Sequence, residues 1–159
     1  MRFTFFVFAL LAAASPIGGK LFHTDKSPSG RILADHYFFE PSDPHWETPL
    51  TQIWLHDAQG KIPPSLLFEH HRSADILFSP NEKWIAISDN SLSDFADVRL
   101  FRRTRDLKYD EEIKADPGNK CWALSDRISG RPMSSKFDHR YVYAVRWAPD
   151  SRAVLLKAL

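Results

Sequence analysis

The sequence predicts an all-β protein built from short antiparallel strands, and three observations predict it. One is a turn written three times: "SPSG" before "RILA" (Ser27 to Ala34), "SPNE" before "KWIAISD" (Ser79 to Asp89), and "APDS" before "RAVLLKA" (Ala148 to Ala158). Another is that short apolar runs alternate with clusters of Pro, Asp, Asn and Ser, and no long stretch carries the i, i+3, i+4 period of a helix. The last is composition, with 12 Phe, 5 Trp and 11 Pro against only 6 Gly.

The chain opens with Met1-Arg2, then twelve apolar residues from Phe3 to Ala14. Small residues Ala12 and Ala14 stand at signal-peptidase spacing, followed by Ser15-Pro16. This is the pattern of a cleaved secretory signal over 1–14. Twelve residues fall short of the roughly 20 that a membrane-spanning helix needs. No Cys follows the small residues, so the pattern offers no lipid anchor there. The expected product is secreted or periplasmic, and it spans 15–159.

Those 145 residues suffice for one domain with its own core. Without Arg2, the 21 basic side chains become 20, against 20 acidic ones, and no run of Lys or Arg stands out. That balance disfavours nucleic acid and anionic membranes as partners. The only cysteine, Cys121, cannot form an intrachain disulfide.

Each turn joins two strands. Ala74 to Phe78 precedes the second, with Ile76 and Phe78 expected on one face. Tyr143 to Trp147 precedes the third, with Tyr143, Val145 and Trp147 expected together. Pro at the second position suits a type I turn, and a left-handed residue after it closes a three-residue hairpin. Gly30 suits that place. Glu82 and Ser151 occupy it in the other copies, where a Cβ costs about 1–2 kcal/mol, so those turns are either strained or differently built.

After each turn comes an unbroken apolar run: Ile32-Leu33-Ala34, Trp84-Ile85-Ala86-Ile87, Ala153-Val154-Leu155-Leu156. Such runs predict strands covered on both faces, with Trp84, Ile85, Ile87, Val154 and Leu155 deeply buried. Third strands follow at Thr51–His56, ended by "DAQG", and at Asp97–Arg102, with Val98 and Leu100 on one face. A fourth is expected at Ser65–Glu69; its counterpart, Lys108 to Ile113, is a weak strand signal that could be helical.

The pattern "FSPNEKWIAIS", followed by an alternating "VRLF" or "IWLHDAQG" strand, resembles the blade motif of TolB-like and WD-repeat-like β-propellers. The resemblance implies antiparallel blade-like sheets of an incomplete or open β-propeller, with units at about 20–70, 71–113 and 141–159. Lys114 to Arg140 interrupts the repeat as an irregular insertion around Cys121-Trp122-Ala123-Leu124, where Asp116 or Asn119 could cap a short helix. It could be a binding loop or a packed cover for the unit's edge. Propellers have about four to eight blades. Two and a half units therefore imply a truncated reading frame, an assembly of copies, or an open stack.

For chemistry, the sequence lacks G-x-S-x-G, H-E-x-x-H, paired cysteines and a phosphate-cradling glycine loop. No catalytic, cofactor-binding or metal-binding residue is assigned. His70-His71 is the densest histidine cluster, but adjacent residues of a strand point apart. The same divergence makes Asp35-His36 and Asp138-His139 poor acid–base pairs. Cys121, beside Trp122, reads as a structural thiol rather than a nucleophile. Arg99, Arg102, Arg103 and Arg105 could bind an anion, or could form a mixed-charge face with Asp94, Asp97, Asp106 and Asp110. Tyr37, Phe38, Phe39, Trp46 and Trp54 could stack a ligand or fill a core. The expected function is a secreted, non-catalytic protein-binding or envelope scaffold module, with a protein partner or self-association. The alternatives are the non-catalytic propeller of a prolyl-oligopeptidase-like peptidase, or a small enzyme with an unrecognised site.

Overall fold

A computed structural model describes residues 16, 18–41, 49–132 and 139–159. The expected leader, Trp46 and Asp138 lie outside the described residues. Four antiparallel strands pair in chain order in the first sheet: β1 (Lys20–Lys26), β2 (Ile32–Phe39), β3 (Leu50–Asp57) and β4 (Ser65–His70). The second follows the same meander: β5 (Ser73–Phe78), β6 (Trp84–Asn90), β7 (Phe95–Arg105) and β8 (Lys108–Glu111). The hairpin β9 (Arg140–Trp147) and β10 (Val154–Ala158) joins β7 through two parallel pairs only, Phe95 with Arg140 and Ala96 with Tyr141.

The sheets stack because β6 is apolar on both faces. Ile85 and Ile87 point into one core with Ile32, Ala34, Ile53, Leu55 and Phe68 of the first sheet. Ala86 points the other way, into a second core with Val98, Trp122 and Val142, against which Trp147, Val154 and Leu156 pack. Two side-chain bonds tie this third layer down. Ala144 N–H donates to the Ser88 hydroxyl at 3.0 Å, and Trp147 Nε1 donates to the Leu77 carbonyl at 3.0 Å. The expected burial of Ile85 and Ile87 therefore holds; both are fully buried, while Trp84 is half-buried.

The third layer departs from expectation. Val154 is half-buried and Leu155 is 50% exposed, because β10 has a core on one side only and alternates. The pairing skips Val145: Leu155 faces Arg146 and Leu156 faces Ala144. That bulge resets the alternation. Trp147 thus joins Val142 and Ala144 in the core, while Val145 is left exposed, not on the face of Trp147.

Lys108–Glu111 is a strand, and Ile113–Ala115 forms one 3₁₀ turn after it. The expected irregular insertion carries a regular helix instead, α1 (Pro117–Ser129), with Pro at its start and Gly130 left-handed at its end. Asp116 stands at its N-cap position, although its carboxylate accepts from the Asn119 amide rather than from a backbone N–H. Trp122 anchors the helix in the second core. Gly118 lies so close to the Asp97 carboxylate that a Cβ would overlap it.

The three repeated turns share one hydrogen-bond scheme. Gly30, Glu82 and Ser151 N–H donate to Ser27, Ser79 and Ala148 carbonyls at 2.8, 2.9 and 2.9 Å. Ser27, Ser79 and Ala148 N–H return bonds to Ile32, Trp84 and Ala153. Gly30, Glu82 and Ser151 all take positive φ, at 72°, 56° and 63°. Of the two readings left open by sequence, the strained one is adopted. The turns are also joined to one another: Ser29 N–H donates to Glu82 Oε1 at 2.9 Å, and Asn81 N–H donates to Ser151 Oγ at 3.1 Å.

Candidate functional site

A cleft of about 380 Å³ opens between the first and second sheets, lined by Phe22, His23, Asp25, His36 and His70 on one side and Arg72 to Ile76 on the other. The turn at Ser27–Gly30 sets the register that builds it. Asp25 pairs with Ala34 and His23 with His36, so Asp25 lies diagonal to His36 on the same face. The Asp25 carboxylate meets His36 Nε2 at 3.0 Å and His23 Nε2 at 3.2 Å. Burial lowers the His36 pKa, and the neighbouring Asp25 opposes that shift without cancelling it.

His70 closes the floor of the cleft. Its side chain is buried, only 6% of the residue is exposed, and neither ring nitrogen has a hydrogen-bond partner. Burial, reinforced by His36 and His71, pushes its pKa down to about 4, opposed by a contact with the Arg72 backbone that falls outside ordinary hydrogen-bond geometry. A neutral imidazole with one free donor and one free acceptor can hold a small polar ligand, and the Asp25–His36 pair can move a proton.

His70 and His71 diverge: the second is exposed and meets the Pro49 carbonyl at 3.1 Å. Among the described residues, no group of three or more His, Cys, Asp and Glu is arranged to hold a metal ion. Asp35 and His36 also diverge. Asp35 accepts from the Thr24 hydroxyl and lies 3.4 Å from His56 on the opposite face. Cys121 is half-buried against the second core, and burial raises its pKa. Arg102, Arg103 and Arg105 line one open depression of about 490 Å³ with Lys83 and Asp106, while Arg99 stands apart. Arg99 lies between Asp89 and Glu111 over the Phe68 ring, Arg102 stacks on Trp84, and Arg103 on Tyr109. Of the aromatics in the first unit, Tyr37 is buried, while Phe38, Phe39 and Trp54 are half-buried, with Trp54 Nε1 donating to Gln52.

The other candidate surface is the outer side of β9–β10. Here Val145 is 47% and Leu155 50% exposed, and the rings of His139, Tyr141 and Tyr143 stack in a row at 6.2 and 6.3 Å. At the turn end of the same hairpin, reached by Leu155 but not by the ring row, lies a depression of about 580 Å³ walled by Trp147, Pro149, Ala153, Val154 and Leu155.

Sequence reasoning missed Asp25 as the partner of His36, because they lie eleven residues apart. The signal was available: a hairpin closed at Ser27–Gly30 brings 25 beside 34, and hence near 36. Comparison with protein-family models, curated proteins and solved structures gives no match.

Proposed function

We propose that this chain is an exported, non-catalytic β-sheet module, resembling propeller blades, that binds a protein partner on the outer side of β9–β10. The observation that carries the reading is the apolar and aromatic surface formed by Tyr141, Tyr143, Val145 and Leu155, continued by Leu155 to the Trp147 depression. Contiguous exposed apolar surface marks interaction sites, and interface cores are rich in Tyr, Trp and Arg. Arg146 borders the same depression. Export follows from the leader pattern at 1–14, and sequencing the N-terminus of exported material should find cleavage near Ala14.

A photoreactive residue at position 155, introduced in the producing cells, should trap a protein adduct, and one at exposed Lys83 should not. Equal labelling from both positions, or none from 155, would overturn the assignment.

A second reading is favoured by His70 alone. The cleft at Asp25, His36 and His70 would take a small polar ligand, since a buried imidazole with two unpartnered nitrogens lacks the satisfaction buried polar groups normally have. His70→Phe should then abolish ligand binding and leave the adduct at 155 intact.

A further inference from the structure

Each layer of this protein is bonded to the next through its turn. The third residue of one turn, Ser29 or Asn81, offers a free backbone N–H. The left-handed residue of the following turn, Glu82 or Ser151, supplies the accepting oxygen from its side chain. This accounts for an otherwise costly choice. Glycine is the residue suited to a positive φ, yet both later turns carry a side chain there. Gly30 stands in the first of the three turns, and no earlier turn of this kind lies among the described residues.

The third residue of the last turn is Asp150. Its carboxylate accepts the Arg152 N–H at 3.0 Å, whereas its own N–H is not among the bonds made by the described residues. Its neighbour Pro149 walls the open depression that Trp147 and Leu155 also line, while Asp150 itself lines a second one with Asn81, Trp84 and Ser151. The same pair of features, a free turn N–H beside apolar surface, is what each of the first two layers presents to its successor.

We propose, building on the binding role above, that β9–β10 docks one further β-sheet layer of the same kind. Its bearer is a protein partner whose turn carries Ser, Asp or Glu at the left-handed position, and that side chain accepts the Asp150 N–H. A second copy of this chain is a poor occupant, because its first turn offers Gly30, which has no acceptor.

A full-length copy carrying Gly30→Glu serves as the probe. A Cβ at Gly30 meets no heavy atom within 4 Å, and Glu82 holds a similar φ, 56° against 72°, so the variant should keep the fold at the cost of one left-handed Cβ, which Gly30→Ala shares. Labelled wild-type chain should bind the Gly30→Glu probe at least tenfold more tightly than it binds itself, as expected for one bond to a charged acceptor. The Asp150 amide should exchange more slowly with solvent in that complex. Gly30→Ala, which adds the Cβ without the acceptor, should bind no better than wild type, and Leu155→Asp in the receiving chain should abolish binding. Equal affinity for all three probes would overturn the inference, as would a tight complex that leaves Asp150 unprotected. If position 155 still traps a partner while Gly30→Glu gains nothing, the binding role stands and the turn-specific recognition falls. If neither occurs, both fall.

Discussion

Glu82 shows how one side chain can outweigh its own backbone. A left-handed Cβ costs about 1–2 kcal/mol, while a bond from a neutral N–H to a carboxylate contributes about 1.5–3 kcal/mol. Glu82 as a whole is 9% exposed. Burial pushes its pKa up, but bonds from Ser29, through both hydroxyl and amide, and from the Ser27 hydroxyl hold it below the ordinary carboxylate value. Three glycine substitutions at positive φ should therefore differ. Glu82→Gly should destabilise by about 1 kcal/mol, as the bond outweighs the relief. Ser151→Gly, which loses a neutral bond, should be close to neutral. Asp106→Gly, at φ 38° in an exposed turn, should stabilise by about 1 kcal/mol. Urea melts of the three variants provide the ranking, and Glu82→Gly as the most stable of them would refute the account. His70 gives a pH signature. The unfolded imidazole takes its proton near 6.5, whereas the folded one holds off until about 4. Stability is thus full above pH 6.5 and falls as pH drops from 6.5 to 4, by about 3 kcal/mol if His70 acts alone. His70→Phe should flatten that part of the stability–pH curve; an unchanged slope would show that another group titrates there.

Among the elements, β6 is the one most fully legible in the sequence. Its unbroken run from Trp84 to Ile87 fits a strand with two covered faces, and Ile85 is wholly enclosed. Ile85→Ala should cost roughly 2–5 kcal/mol as a cavity in a packed core, measured by denaturant melt. The same kind of run in β10 misled, because burial on both faces needs a second neighbouring layer and not merely apolar residues. Leu155→Asp should accordingly leave the unfolding free energy within about 0.5 kcal/mol of wild type, as for an ordinary surface change. β1 left no clear trace in "KLFHTDK", since an edge strand with exposed flanks has no alternating core face to advertise. The helix was legible only as a capping signal at Asp116 and Asn119, because its buried side chain is the single Trp122. Its attachment depends on close approach instead. Gly118→Ala should push α1 away from Asp97 and raise the accessibility of Trp122 to a fluorescence quencher. Unchanged quenching would mean that the helix shifts without detaching. The cleft was the least legible feature, since Asp25, His36 and His70 come from three strands and only register joins them.

Taken whole, the molecule has two cores divided by one sheet. Ile85 and Ile87 belong to the first and Ala86 to the second, so neither core can open without disturbing β6. Heating should therefore produce one transition. Ile53→Ala, on the first core, and Val142→Ala, on the second, should lower the same midpoint; two separated transitions would show that the layers fold independently. The turn-to-turn bonds give this stack a direction, with the donor always in the earlier unit and the acceptor in the later one. That asymmetry bears on how such a chain can lengthen by gene duplication. A second copy of Ser73–Glu111 inserted after β8 would arrive with Glu82 to meet the Asn81 before it and with its own Asn81 to meet Ser151, so the splice would heal at both ends. A second copy of Lys20–His70 in the same place would bring Gly30 against Asn81 and leave that junction open. The order of units is thus inheritable in one sense only: middle units can be repeated, and the opening unit can stand only at the beginning.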